Sequence, residues 1–69
     1  MGTTIGKYIE AGLERGKIAN NQIVVYYDKN GNIQFIGKAE FTPVYLDRVP
    51  LDRIENVGNE MRVYEKRGE

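Results

Sequence analysis

IVVYYDKNGNIQFIGK, residues 23–38, sets two apolar runs on either side of the cluster Asp28-Lys29-Asn30-Gly31-Asn32. β-branched and aromatic residues flanking Asn, Asp and Gly read as a β-hairpin. Two turns can be drawn through the cluster, and they predict different faces. A two-residue type I′ loop at Asn30-Gly31 pairs Asp28 with Ile33, which strands a carboxylate on one face with Val24, Tyr26, Ile33 and Phe35. A type I turn over 28–31, with Gly31 left-handed as a bulge, pairs Asp28 with Asn32 and puts Asp and Gly where those residues are favoured. We take the bulged register. Pairing then runs Tyr27 with Ile33, Val25 with Phe35 and Ile23 with Gly37, so Ile23, Val25, Tyr27, Ile33 and Phe35 share an unbroken apolar face, the expected core face. A one-residue slip would send that set to the other side. The opposite face carries Val24, Tyr26, Gln34, Ile36 and Lys38, too apolar for plain solvent and too polar for core.

Upstream of the hairpin, Ile5, Tyr8, Ile9, Gly12 and Leu13 recur at helical spacing while Lys7, Glu10 and Glu14 fall off that stripe. This predicts an amphipathic helix over about Thr4 to Arg15, with Thr3 or Thr4 as N-cap and Gly16 at C′. Gly6 and Gly12 each cost ~1 kcal/mol of helix propensity relative to Ala, so the helix depends on packing. Gly12 on the stripe is expected to let it sit close to a sheet. Residues 17–22 read as the connecting loop. Downstream, Thr42-Pro43 opens a short helix over Pro43 to Arg48, which Pro50 ends by disfavouring helical geometry at Val49. Leu51 to Val57 and Glu60 to Lys66 flank Gly58-Asn59, a type II′ pair, and form a second hairpin. Pairing Val57 with Glu60 puts Ile54, Asn56, Met61 and Val63 on one face, and Arg53, Glu55, Arg62 and Tyr64 on the other. The sequence therefore predicts an α+β domain, order α-β-β-(short α)-β-β. Its N-terminal amphipathic helix covers one face of a four-stranded, mainly antiparallel sheet made of two hairpins.

The 69 residues allow one domain, 1–69, with an ordered core over about 4–66 and a frayed tail at Arg67-Gly68-Glu69. A chain this short buries only ~60% of its unfolded surface, so association with a partner would help it. It has no Cys and no His, which removes disulfides and the usual structural zinc sets. Ten basic and ten acidic residues cancel, which argues against strong non-specific attraction to nucleic acid or an anionic membrane. Met1-Gly2 is not followed by the hydroxyl residue a myristoylation signal needs, since position 6 is Gly6. No basic segment leads into an apolar run and no stretch approaches bilayer length, so a cytoplasmic protein is the expectation.

Chemistry is hard to place on this chain. Without Ser, Cys or His there is no nucleophile–base pair, and Thr3, Thr4 and Thr42 are accounted for as caps. The carboxylates of Glu10, Glu14, Glu40, Asp47, Asp52, Glu55 and Glu65 have the spacing of a solvated surface. Asp28, Asn30 and Asn32 have the spacing that opens a calcium loop, but Ile33 and Ala39 stand where that loop needs Gly and Glu. Gly2, Gly6, Gly12 and Gly16 lack the strand and the Lys-Ser/Thr of a phosphate loop. No catalytic residue, metal site or cofactor is expected.

What remains is the second sheet face, where Val24, Tyr26, Ile36 and Tyr64 would lie with Lys38, Arg53, Arg62 and Lys66, against Glu55. Ordinary exposed strand residues would look the same, because strands favour these types wherever they point. A protein-binding or self-association face fits an apolar patch rimmed by Lys and Arg, with Val24, Tyr26, Ile36 and Tyr64 at its centre. Single-stranded nucleic acid is the alternative, with Tyr26 and Tyr64 as stacking platforms and Lys38, Arg53, Arg62 and Lys66 along the phosphates. No aromatic-rich RNA-binding motif accompanies it. The expected function is a non-enzymatic interaction module that binds a protein partner or a second copy.

The run from Ile23 to Asn32, then Gly37-Lys38-Ala39, the Pro43-led segment with Leu46 to Val49, and Ile54-Glu55 with Val63-Tyr64 resembles small proteins carried by bacterial phages and other mobile elements, over about residues 5 to 66. The resemblance implies a bacterial cytoplasmic accessory protein that binds a host or phage protein. It assigns no functional residue.

Overall fold

A computed structural model describes residues 2–67; Met1, and the Gly68 and Glu69 of the tail expected to fray, lie outside the described residues. The chain folds as α1 (Ile5–Glu14), β1 (Ile23–Tyr27), β2 (Ile33–Lys38), two 3-10 turns (Ala39–Phe41 and Val44–Arg48), β3 (Leu51–Val57) and β4 (Glu60–Glu65). The expected α+β order holds. At the start of α1 the Thr4 hydroxyl accepts the Lys7 amide at 3.2 Å. At its end Gly16 takes φ 73°, and the amides of Lys17 and Gly16 turn back to the carbonyls of Gly12 and Leu13. That is the two-bond Schellman closure which a glycine at C′ permits.

The two glycines of α1 have separate reasons. A Cβ on Gly6 would lie 2.6 Å from the Asp47 amide nitrogen and 2.8 Å from its Cα, so the helix rides directly on the backbone of the second 3-10 turn. The space beside Gly12 is taken by the Ile18 side chain, folded back under the helix end, and not by the sheet. The segment expected as a short α-helix is 3-10 instead. Only six residues separate Pro43 from Pro50, and the bonds from the Leu46 and Val49 amides close three residues back, onto Pro43 and Leu46 at 3.1 Å each. Thr42 does not cap it; its hydroxyl donates to the Ala39 carbonyl at 2.7 Å.

The strand order is β2-β1-β4-β3. Both hairpins are antiparallel, but β1 and β4 join in parallel, so the sheet is mixed. Its two outer strands then run the same way, and the chain from Ala39 to Pro50 must cross the sheet to reach β3. It crosses on the α1 side, with Ala39 and Leu46 buried beneath it. One face is thus covered twice, by α1 and by the crossing segment. The Gln22 carboxamide, donating to the Asn59 carbonyl at 2.8 Å, ties the entry of β1 to the turn before β4.

The first hairpin turn is the bulged one. The Gly31 amide bonds to the Asp28 carbonyl at 2.9 Å, Gly31 has φ 87°, and Asp28 pairs with Asn32 through a 2.8 Å bond. Tyr27 faces Ile33 as expected, but a second bulge at Gln34 follows, so Tyr26 pairs with Phe35, Val25 with Ile36 and Val24 with Gly37. The Gln34 side chain bends to the turn and donates to Asp28 at 2.9 Å. The covered face therefore carries Val24, Tyr26, Phe35 and Gly37, the reverse of the expected assignment on β1. In the parallel register Val24 meets Met61 and Tyr26 meets Val63, and these four join Ile5, Ile9, Ile18, Ala39 and Leu46 in the core. The second hairpin folds as expected: Gly58 has φ 60° with Asn59 at negative φ, Val57 pairs with Glu60, and Ile54 faces Val63 inward.

Candidate interaction surface

The residues expected at a contact face separate into two groups. Val24 is wholly buried and Tyr26 is 4% exposed, both under α1 and the crossing segment, so neither is available to a partner. The Tyr26 hydroxyl instead donates to Glu65 at 3.0 Å, and the same carboxylate oxygen accepts the Lys29 amide at 3.1 Å, which holds the first hairpin's turn to the end of β4. Burial, reinforced by that hydrogen bond to Glu65, pushes the ionisation of the phenol far above its ordinary range. Ile36, Lys38, Arg53, Arg62 and Tyr64 do lie together on the uncovered face. Ile23, Val25, Tyr27 and Ile33, expected inside, lie there with them.

Cross-strand register sets this face in three rows. Lys38, Ile23, Glu60 and Val57 form the first, Ile36, Val25, Arg62 and Glu55 the second, and Ile33, Tyr27, Tyr64 and Arg53 the third, each from β2 to β3. The β2–β1 half is apolar save for Lys38, and the β4–β3 half is charged save for Val57 and Tyr64. Ile36 is 63% exposed and Ile33 is 49% exposed, whereas Val25 between them is 4% exposed.

The third row has a geometry that the strand spacing dictates. The Tyr27 and Tyr64 rings stack with centroids 4.9 Å apart and planes 11° apart, which matches the ~4.8 Å between neighbouring strands. Arg53 lies over the Tyr64 ring with its guanidinium carbon 4.1 Å from the centroid. Tyr64 is thereby enclosed, with Tyr27 from β1 and Arg53 from β3 on its flanking strands. The Tyr64 ring thus has a group on each face. This is a poor platform for a nucleobase, which needs a free aromatic face.

The charges on the β4–β3 half of the face are already partnered. Arg62 meets Glu60 at 3.2 Å, and Arg53 lies 3.2 Å from Asp52 and 3.7 Å from Glu55. The Tyr64 hydroxyl donates to Glu55 at 2.8 Å, and this bond raises its ionisation above the ordinary tyrosine value. Lys38 makes no ion pair among the described residues. At the far end of the sheet, the Asp28 carboxylate accepts the amides of Asn30 and Asn32 at 2.9 Å each and the Gln34 carboxamide. These bonds, that from Asn32 foremost, hold its carboxyl below the usual carboxylate value.

No group of three metal-ligating side chains clusters among the described residues, and no helix there is long and apolar enough to cross a membrane. No protein-family model, curated protein or solved structure matches the chain.

Proposed function

We propose that this protein is a non-enzymatic interaction module that associates with a second copy of itself through the uncovered sheet face. The observation that carries the proposal is the apolar half of that face: Ile36 and Ile33 stand exposed among the described residues, beside Val25 and the Tyr27–Tyr64 stack. The occupant follows from the charges. Arg53, Arg62, Glu55 and Glu60 are satisfied within one molecule, so the face does not ask for an acidic or a basic partner. A two-fold arrangement would lay apolar half on apolar half and leave the ion pairs at the rim, the distribution that protein interfaces favour.

The size of the face sets the strength. Strands ~4.8 Å apart with residues rising ~3.3 Å give a sheet face about 20 Å on each side. Each face is then about 400 Å², so two copies would remove at most roughly 800 Å² from water, below the ~1,200–2,000 Å² of standard specific complexes. A dimer that forms reversibly in the micromolar to millimolar range is the expected species. Size-exclusion chromatography with light scattering across that range tests it: the mass should rise toward twice the monomer in wild type and stay monomeric in Ile36→Lys. A wild type that remains monomeric at its highest soluble concentration would sink the self-association reading.

A further inference from the structure

The helix that caps the sheet also walls a cleft on its opposite flank from the crossing segment. The cleft measures about 470 Å³ and is lined by Thr3, Lys7, Tyr8, Ala11, Gly12, Arg15, Lys17, Ile18, Asn56 and Met61. That volume lies within the ~300–1,000 Å³ of small-molecule sites. Its floor is small or apolar, from Ala11, Gly12, Ile18 and Met61. Its rim carries three cations, Lys7, Arg15 and Lys17, and no carboxylate.

The one-sidedness is built by the helix. Lys7, Ala11 and Arg15 fall at successive four-residue steps and so share a face. Glu10 lines a separate groove on the other flank, together with Glu40 and Asp47. Glu10 thus lies across α1 from the cleft, while Glu14, seven residues on from Lys7, stands exposed outside its lining. Among the described residues Lys7, Arg15 and Lys17 enter no ion pair, since the salt bridges found there engage Arg53 and Arg62 alone. Three like charges held around one concavity repel each other, and an anion in the cleft would relieve that repulsion while its low-dielectric walls strengthen the attraction. Tyr8, 39% exposed, adds an aromatic wall that can meet a flat ring.

We propose that this cleft is a binding site for a phosphorylated small molecule with a flat organic body, of the size and charge of a nucleoside diphosphate. The phosphates would meet the cationic rim of Lys7, Arg15 and Lys17, and the organic body would lie on Ala11, Gly12 and Met61. The site is separate from the sheet face, and the binding does not depend on self-association.

The probe is ADP, titrated at low salt into isotope-labelled protein and followed by amide shifts in two-dimensional NMR, with adenosine and inorganic phosphate as comparisons. Saturating shifts confined to Thr3, Lys7, Tyr8, Gly12, Lys17, Ile18 and Asn56 are expected, weakening steeply as salt is raised. The variant Lys7→Glu/Lys17→Glu, altered only at exposed side chains, should keep a dispersed spectrum and bind ADP at least roughly tenfold more weakly, as expected for losing hydrogen bonds to a charged group. Absence of cleft shifts with millimolar ADP overturns the proposal, as does equal binding by the variant. Adenosine matching ADP would overturn the phosphate requirement, and phosphate matching ADP would overturn the organic body.

Discussion

Exchanging lysine into neighbouring positions of the first hairpin decides which face of β1 is core. Val24→Lys and Ile36→Lys place the same charge on adjacent strands of one sheet, but on opposite faces of it. Val24 is wholly buried, so the change forfeits the ~1.5–3 kcal/mol of a buried Val and adds a desolvation penalty of several kcal/mol for an unpaired ammonium. A domain of this length has a total stability of roughly 3–10 kcal/mol, at ~0.05–0.15 kcal/mol per residue. Val24→Lys is therefore expected to leave the chain unfolded in water. Ile36 keeps 63% of its surface in solvent, so only about a third of the ~1.5–3 kcal/mol of a buried Ile is at stake, about 0.5–1 kcal/mol. Urea titrations read by far-ultraviolet circular dichroism, with tyrosine fluorescence as the second probe in a chain without Trp, measure both. The variant Ile36→Lys should show a cooperative transition with a slightly lowered midpoint, and Val24→Lys no transition at all. A cooperatively folded Val24→Lys would refute the face assignment and restore the arrangement in which Val25 and Phe35 face inward together; Ile36 points outward in either arrangement, so an unfolded Ile36→Lys would contradict its exposure.

Two further predictions concern positions away from the contact face. Gly6→Ala should lower stability by up to about 2 kcal/mol, because a Cβ pressing on the Asp47 backbone forces a shift of ~1–3 kcal/mol while the helix gains ~1 kcal/mol of propensity; Gly12→Ala, which displaces only the Ile18 side chain, should be near neutral or slightly stabilising, and a higher urea midpoint for Gly6→Ala than for Gly12→Ala would contradict the close approach. Asp28 titrates below its ordinary value of 3.8 when folded, so it stabilises the fold above that pH and ceases to as the pH falls through the depressed value. Asp28→Asn should flatten the acid limb of a stability-against-pH curve between pH values near neutral and those below the carboxylate range, and an unchanged acid limb would count against the turn's hydrogen bonds.

The parts of this fold that the sequence discloses are those whose chemistry is local. Thr4 caps a helix because its hydroxyl reaches an amide three residues on. Gly16, Gly31 and Gly58 mark the three positions of positive φ among the described residues because no side chain competes there. β4 alternates without ambiguity, Met61 and Val63 inward, Arg62 and Tyr64 outward, so the residues on its two faces were assigned correctly from sequence. β1 does not alternate. Ile23-Val24-Val25-Tyr26-Tyr27 is apolar at every step, as strands central to a sheet are, and its inward face is decided only by the parallel partner at β4. The bulge at Gln34 has no sequence mark either, since it is neither Gly nor Pro and its cause is a side-chain bond to Asp28. Once the parallel register places Tyr27 beside the outward Tyr64, their stacking fixes Tyr27 on the same face.

The same uniform apolarity of β1 bears on how two copies would meet. Val25 is as buried as Tyr26 although it lies on the face opposite α1, with Ile36 and Arg62 flanking it on the adjacent strands and Ile23 and Tyr27 along its own. The apolar surface still open to a partner is therefore concentrated on β2, at Ile33 and Ile36, near one edge of the sheet. Edge-to-edge pairing through β2 is opposed by the bulge at Gln34 and by the Asp28 turn, both of which twist a strand away from a straight partner. Face-to-face packing is not. Its two-fold axis would pass close to β2, so that Ile33 and Ile36 of each copy cover those of the other. Arg53 and Glu55, two strands beyond β1, then stay in solvent. Substitutions on β3 should consequently leave the association unchanged while Ile36→Lys removes it, and a dimer weakened equally from β2 and from β3 would place the axis at the sheet's centre instead.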